Sequence, residues 1–147
     1  MSLLYADSSA LVRAYFEDED DHAVLRRLLL EGGGTVVTSE LARIELASAV
    51  RSASDARRIR DRETLESRID ANYGPGGPLI LIEINRLTVL PVAHRLVREH
   101  RLRTLDAIHL AVALEDAPAF AGSEEVVLVT RDADQAAAAR SLGLAVR

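Results

Sequence analysis

The chain has 147 residues, 48% hydrophobic and 28% charged, with a formal net charge of −5 and no cysteine. That length is expected to form a single domain over residues 1–147 and to bury about two-thirds of its unfolded surface. The lack of cysteine excludes disulfides, thiolate metal sites and a cysteine nucleophile; no apolar run approaches the ~20 residues of a bilayer span, and no basic leader or cleavage site precedes the first strand, so a cytoplasmic protein without a membrane partner is expected.

Leu3 to Ala6 reads as a short buried strand, and Ser8 and Ser9 as N-caps of a helix through about Phe16. Asp21 to Leu30 reads as a second helix with Val24, Leu25, Leu28 and Leu29 on its apolar side, ended by Gly32-Gly33-Gly34. Thr35 to Thr38 is a β-branched strand. Ser39 caps a helix of about Glu40 to Ser52, and Ser54 is expected to cap another reaching about Ala71. Asn72 to Pro78 is a loop rich in Gly and Pro. Leu79 to Ile84 is the third strand. Asn85 is placed to cap a helix in which Leu87, Leu90, His94 and Val97 recur at helical spacing, against the objection of Pro91; the rival parse makes Leu87 to Val92 the strand. Thr104 caps a helix of about Leu105 to Glu115. Val126 to Thr130 is the fourth strand, Asp132 to Leu142 an alanine-rich helix closed by Gly143, and Leu144 to Val146 a short final strand. This alternation predicts an α/β fold with a mainly parallel sheet of about five strands and helices on both faces.

Asp7 and Asp132 fall at the carboxyl ends of predicted strands, where open α/β sheets bind ligands. Glu45 has Leu41, Ala42, Ser48 and Ala49 at its helical offsets, none able to neutralise it. Asp106 lies in the first turn of its helix, where negative charge is favoured by about 0.3–1 kcal/mol. Each has an ordinary structural reading: N-cap for Asp7, first-turn electrostatics for Asp106, an acidic turn with Asp134 for Asp132, and solvent or an Arg partner for Glu45. Their convergence on one end of one sheet would make them repel, and like charges within about 4–6 Å raise one another's pKa. A hard divalent cation, Mg²⁺ or Mn²⁺, removes that conflict. Such a cation activates water and steadies a phosphorane-like transition state, so phosphodiester hydrolysis is the chemistry these residues point to.

Leu4-Tyr5-Ala6-Asp7-Ser8-Ser9-Ala10-Leu11-Val12 resembles the opening of PIN-domain nucleases, above all the VapC toxins of bacterial type II toxin–antitoxin systems. Ser39-Glu40-Leu41-Ala42-Arg43-Ile44-Glu45-Leu46 resembles their second motif, and Leu102-Arg103-Thr104-Leu105-Asp106-Ala107-Ile108-His109-Leu110-Ala111 their third. Val129-Thr130-Arg131-Asp132 followed by Leu142-Gly143-Leu144 resembles their ending. The resemblance implies a three-layer α/β/α PIN fold, with the third strand at Leu79 to Ile84. It also implies an Mg²⁺- or Mn²⁺-dependent endoribonuclease acting on RNA, with Asp7, Glu45, Asp106 and Asp132 as the acidic site. It implies Thr130 as a hydroxyl that orients a carboxylate or water, and Ser8 in a similar role beside Asp7. It further implies a homodimer, and a VapB-type antitoxin that pushes a basic side chain toward the pocket. The stretch from about Ala53 to Leu79 matches no fixed pattern.

Some residues are left in structural roles. His109, on a Leu/Ile/Ala helix, reads as a hydrogen-bonded core histidine. Asp134 is the runner-up to Asp132 as a ligand. The Arg57-Arg58-Ile59-Arg60-Asp61-Arg62 run reads as a solvated helix face, with RNA phosphates as the alternative. All 18 basic residues are Arg; this suits bidentate phosphate recognition, but GC-rich codon usage is the ordinary account. Two rival functions stand beside the nuclease. One is a catalytically inert PIN-like domain that binds RNA or protein. The other is a phosphotransfer domain, against which the absence of Lys argues.

Overall fold

The computed structural model describes residues 1–147, and its strands form one five-stranded sheet in which every pairing is parallel. The elements in chain order are β1 (Ser2–Ala6), α1 (Ser8–Tyr15), α2 (His22–Arg26), β2 (Val36–Ser39), α3 (Glu40–Asp55), α4 (Arg62–Tyr73), β3 (Leu79–Ile82), α5 (Arg86–Glu99), α6 (Thr104–Glu115), α7 (Pro118–Ala121), β4 (Glu125–Val129), α8 (Ala133–Ser141) and β5 (Ala145–Val146). The strand order is β3-β2-β1-β4-β5. The chain therefore builds outward from β1 in one direction, then returns to lay β4 on its other side. That reversal makes the β1–β4 boundary the topological switch point, the usual ligand crevice of an open parallel sheet.

Side-chain alternation along β1 divides the core into two halves of 17 buried residues each. Leu3 and Tyr5 face a cluster with Val89, Leu96, Leu110 and Ala139 from α5, α6 and α8. Leu4 and Ala6 face the opposite cluster with Leu11, Leu25, Leu46 and Ile69 from α1 to α4. Strands with both faces covered give the near-continuous apolar runs seen in the sequence. Three layers, helix on sheet on helix, result.

Several local expectations are corrected. Asp7, not Ser8 or Ser9, caps α1, because its carboxylate folds back onto the Ala10 N–H. The second helix is shorter than predicted and passes into a π-helical turn over Arg27–Glu31, leaving Val24 exposed. Ser54 does not start a helix: α3 runs through it to Asp55, Arg57 breaks the chain in the left-handed region (φ 57°), and Asp61 caps α4. The Arg57–Arg62 run is thus mostly loop, with Arg58 paired to Asp18 and Glu19. Arg103 rather than Thr104 occupies the N-cap of α6.

Helix α5 does contain Pro91, and Asn85 caps it through Leu87 N–H. The face carrying Leu87, Leu90 and Val97 points outward, while Val89, Ala93 and Leu96 are buried. Both stripes have helical spacing, so periodicity alone did not choose between them. Leu96→Ala is therefore expected to destabilise the protein by about 2–5 kcal/mol. Leu87→Ala, at a position 79% exposed, should stay within about 0.5 kcal/mol of wild type; urea unfolding of the two variants measures the contrast.

Candidate active site

Asp7 leaves β1 at the switch point, and its N–H donates to the Val129 carbonyl of β4 at 3.2 Å. The side chain is 1% exposed. Its Oδ1 accepts from the Ala10 N–H at 2.9 Å and from the Ser9 hydroxyl at 2.7 Å. Its Oδ2 meets the Thr130 hydroxyl, just past β4, at 2.5 Å. Burial pushes the Asp7 pKa up, and these three donors only partly offset it. The proton count around Thr130 agrees. Its single hydroxyl proton faces two acceptors, Asp7 Oδ2 and Gln135 Oε1 at 2.9 Å, and both are satisfied only when Asp7 itself is protonated.

Glu45 sits in the second turn of α3. One oxygen lies 2.5 Å from Nε2 of His109 on α6, and the other accepts from the Ser8 hydroxyl at 2.8 Å. Burial would raise its pKa, but its interaction with His109, together with the Ser8 hydroxyl, outweighs that and holds it below the usual range. Ser8 thus serves Glu45 and not Asp7. Capping turns the Asp7 carboxylate over the first turn of α1, toward Ser9.

Asp106, in the first turn of α6, has its pKa raised by burial and next by the charge of Asp132. Arg103 reaches Asp106 at 3.3 Å and Asp132 at 3.7 Å with a side chain 85% exposed. A cation held so loosely in water offsets little of that repulsion. Asp132 caps α8 by accepting the Gln135 N–H at 2.7 Å. With Asp134, Arg103 and His100 it lines an open cleft of about 400 Å³ beside Asp106.

The four carboxylates therefore arrive from four separate segments: the ends of β1 and β4, the second turn of α3 and the first turn of α6. They are knit by shared partners. His109 joins α6 to Glu45 on α3. Buried Gln135 ties the Asp7–Thr130 pair to the Asp106 backbone carbonyl through its amide, at 2.9 Å. Asp134 stands in the first turn of α8, exposed.

Three participants escaped the sequence: Ser9, Gln135 and the link from His109 to Glu45. Gln135 had a signal, since it stands three residues after the cap Asp132, the usual position of a capping-box Gln. Its side chain turns inward to Asp106 instead.

No three of the Asp, Glu and His side chains are gathered closely enough to enclose an ion by themselves. The donor set nonetheless fits a hard cation. A carboxylate offers about four lone-pair sites. Asp7 uses three of its own, Glu45 two and Asp106 one, so each keeps at least one free. Mg²⁺ keeps several waters and takes only one or two protein carboxylates beside substrate phosphate, so it requires no closed protein cage.

A family model described as the PIN domain matches residues 4–141. The chain belongs to the PIN-domain family. Its fold is that of VapC20 from Mycobacterium tuberculosis, a sarcin–ricin-loop-cleaving toxin, with a TM-score of 0.67 at 18% identity over 92% of this chain and 94% of that one. VapBC2 from Rickettsia felis, bound to a DNA fragment from its promoter, is similar with a TM-score of 0.64 at 15% identity, over 99% of this chain and 97% of that one. Sequence comparison with curated proteins yields no match. No helix is long and apolar enough to cross a membrane.

The two kinds of carboxylate predict opposite pH responses in the metal-free protein. Asp7 holds its proton to higher pH when folded than when unfolded, so its contribution to stability falls as pH rises from the ordinary 3.8 through its raised value. Asp7→Asn is expected to melt higher than wild type at neutral pH, with the gap closing in acid. Glu45 has the reverse sign: its stabilisation is present above the ordinary 4.5 and is lost as pH falls through its lowered value. Glu45→Gln should therefore melt lower than wild type at neutral pH. Thermal melts in chelator across the acid-to-neutral range read both.

Proposed function

We propose that this chain is a metal-dependent endoribonuclease, a single PIN domain over residues 1–147, and the toxin of a type II toxin–antitoxin module in the cytoplasm. The observation that carries the reading is that Asp7, Glu45, Asp106 and Asp132 come to the switch-point end of a PIN-family sheet with a single loosely held Arg between two of them. The low-identity likeness to VapC20 and VapBC2 supports the toxin role, an RNA substrate and a VapB-type antitoxin; assembly as a homodimer belongs to the same proposal.

Asp7, Glu45, Asp106 and Asp132 would hold Mg²⁺ or Mn²⁺, with Asp134 alongside. Such a cation, when bound, lowers the pKa of a water ligand and offsets charge on the phosphate under attack. The protein's own residues prepare for that. Ser9, Thr130 and the Ala10 N–H fix the rotamer of Asp7. Ser8 and His109 hold Glu45 ionised in the absence of a metal. Asp106 and Asp132 face the open cleft, where an RNA phosphate has access and where Arg103 is free to swing from carboxylates to phosphate.

A second reading, a catalytically inert PIN-like domain that binds RNA or protein, is favoured by the absence of any closed three-ligand cage. One assay separates them. Purified protein is expected to cleave RNA with Mg²⁺ or Mn²⁺ and to stop in excess chelator. Asp7→Asn should slow cleavage by on the order of 10²-fold or more, the loss typical of removing one fixed charge-stabilising group. Equal cleavage by the variant, or cleavage that survives chelation, contradicts the mechanism.

A further inference from the structure

Tyr5 lies on β1 two residues before Asp7, and its hydroxyl is buried among apolar side chains. It meets Nδ1 of His109 at 2.8 Å across 104 residues of sequence. The other ring nitrogen, Nε2, lies 2.5 Å from Glu45 Oε1. Tyr5 and His109 are both fully buried, and their rings pack edge to face with centroids 6.0 Å apart. The line Tyr5–His109–Glu45–Ser8 thus crosses from β1 through α6 to α3 and back to α1.

An ionised carboxylate only accepts hydrogen bonds, so Nε2 must carry a proton. A neutral phenol has one proton to give, and no other side-chain acceptor for it is present. The Ser39 N–H also faces the phenol oxygen, as a donor. Giving the phenol proton to Nδ1 satisfies both groups. A doubly protonated imidazole would instead leave the buried hydroxyl hydrogen without an acceptor, and a proton on Nδ1 alone would set two acceptors face to face at Glu45.

We propose that Tyr5 is a positioning residue: its hydroxyl fixes the His109 proton on Nε2, and the imidazole, with Ser8 on the other oxygen, clamps the Glu45 carboxylate in one orientation toward the acidic site. This role rests on the metal-dependent reading above. It follows the physics by which hydrogen bonds behind a ligand fix its orientation and tune its affinity.

The test uses the full chain as wild type, Tyr5→Phe, His109→Gln and the double variant. Nitrogen-15 spectra of the histidine ring are expected to show the proton on Nε2 in wild type and a mixture of tautomers in Tyr5→Phe. Mn²⁺ binding, followed by electron paramagnetic resonance, should weaken about 10-fold in Tyr5→Phe. RNA cleavage should lose kcat with KM unchanged. In His109→Gln, whose amide donates to Glu45 with no tautomer to choose, adding Tyr5→Phe should weaken Mn²⁺ binding no further. Tyr5→Phe that keeps the proton on Nε2 and binds Mn²⁺ like wild type overturns the proposal, as does an equal second loss in the His109→Gln background. Wild-type protein that binds no Mn²⁺ overturns the proposed function instead, and the ring spectra of Tyr5→Phe still decide the relay. Tyr5→Phe removes one oxygen and keeps the ring, so the spectra are informative even where His109→Gln does not fold.

Discussion

Four acids gather at one end of one sheet, where burial with the charge of Asp132 raises the pKa of Asp106 and burial raises that of Asp7, and the fold has to contain these costs before any ligand arrives. Much of the architecture around the switch point answers this demand. Helices α1, α3, α6 and α8 all begin there, and each N-terminus carries roughly half a positive charge. Asp7 and Asp132 are the N-caps of α1 and α8. Asp106 is in the first turn of α6 and Glu45 in the second of α3. Parallel topology makes this possible for three of them, because β1, β2 and β4 end at this edge and are each followed by a helix starting there, while α6 reaches it by turning back from α5.

Helix ends do not balance the site evenly, and the remaining imbalance sorts the carboxylates into two kinds. Glu45 has a histidine on one oxygen and a hydroxyl on the other, and stays ionised. Asp7 has more hydrogen bonds, yet burial outweighs them. Asp106 has burial and the neighbouring charge of Asp132 against one exposed Arg. The number of partners does not decide which group keeps its proton; the depth of the group and the acids beside it weigh more. The metal-free protein therefore holds one carboxylate firmly ionised beside two that gain stability from protons.

The sequence made the five strands and their order of appearance legible, because buried parallel strands are continuous apolar runs and Asn72–Pro78 and Gly143 mark the breaks. Asp7, Asp106 and Asp132 were legible as strand-end or first-turn acids, and Glu45 as a charge with no partner at its helical offsets. What stayed hidden depended on long-range contact. The partner of Glu45 lies 64 residues away on α6, and Tyr5 and His109 are 104 residues apart. Local spacing also misled where two readings shared a period: both faces of α5 are apolar at helical intervals, and only packing on α6 selects Val89, Ala93 and Leu96. Ser8 and Ser9, adjacent in sequence, went to different carboxylates because one helical residue turns a side chain by about 100°.

Capping a helix and binding a cation are compatible roles for one carboxylate, because they use different lone pairs. Asp7 spends Oδ1 on the Ala10 N–H and Ser9, and part of Oδ2 on Thr130. Those bonds leave the carboxylate one orientation and one free direction. The cap thereby does for Asp7 what His109 and Ser8 do for Glu45: it removes rotamer freedom that a ligand would otherwise have to freeze. Asp106 and Asp132 lack such clamps on the side facing the cleft, and there Arg103 is the cation that reaches both. The site is thus rigid where it is buried and adjustable where substrate enters, an arrangement that follows from placing Asp7, at the end of β1, and Glu45, on α3, among packed partners and Asp106 and Asp132 at the open rim.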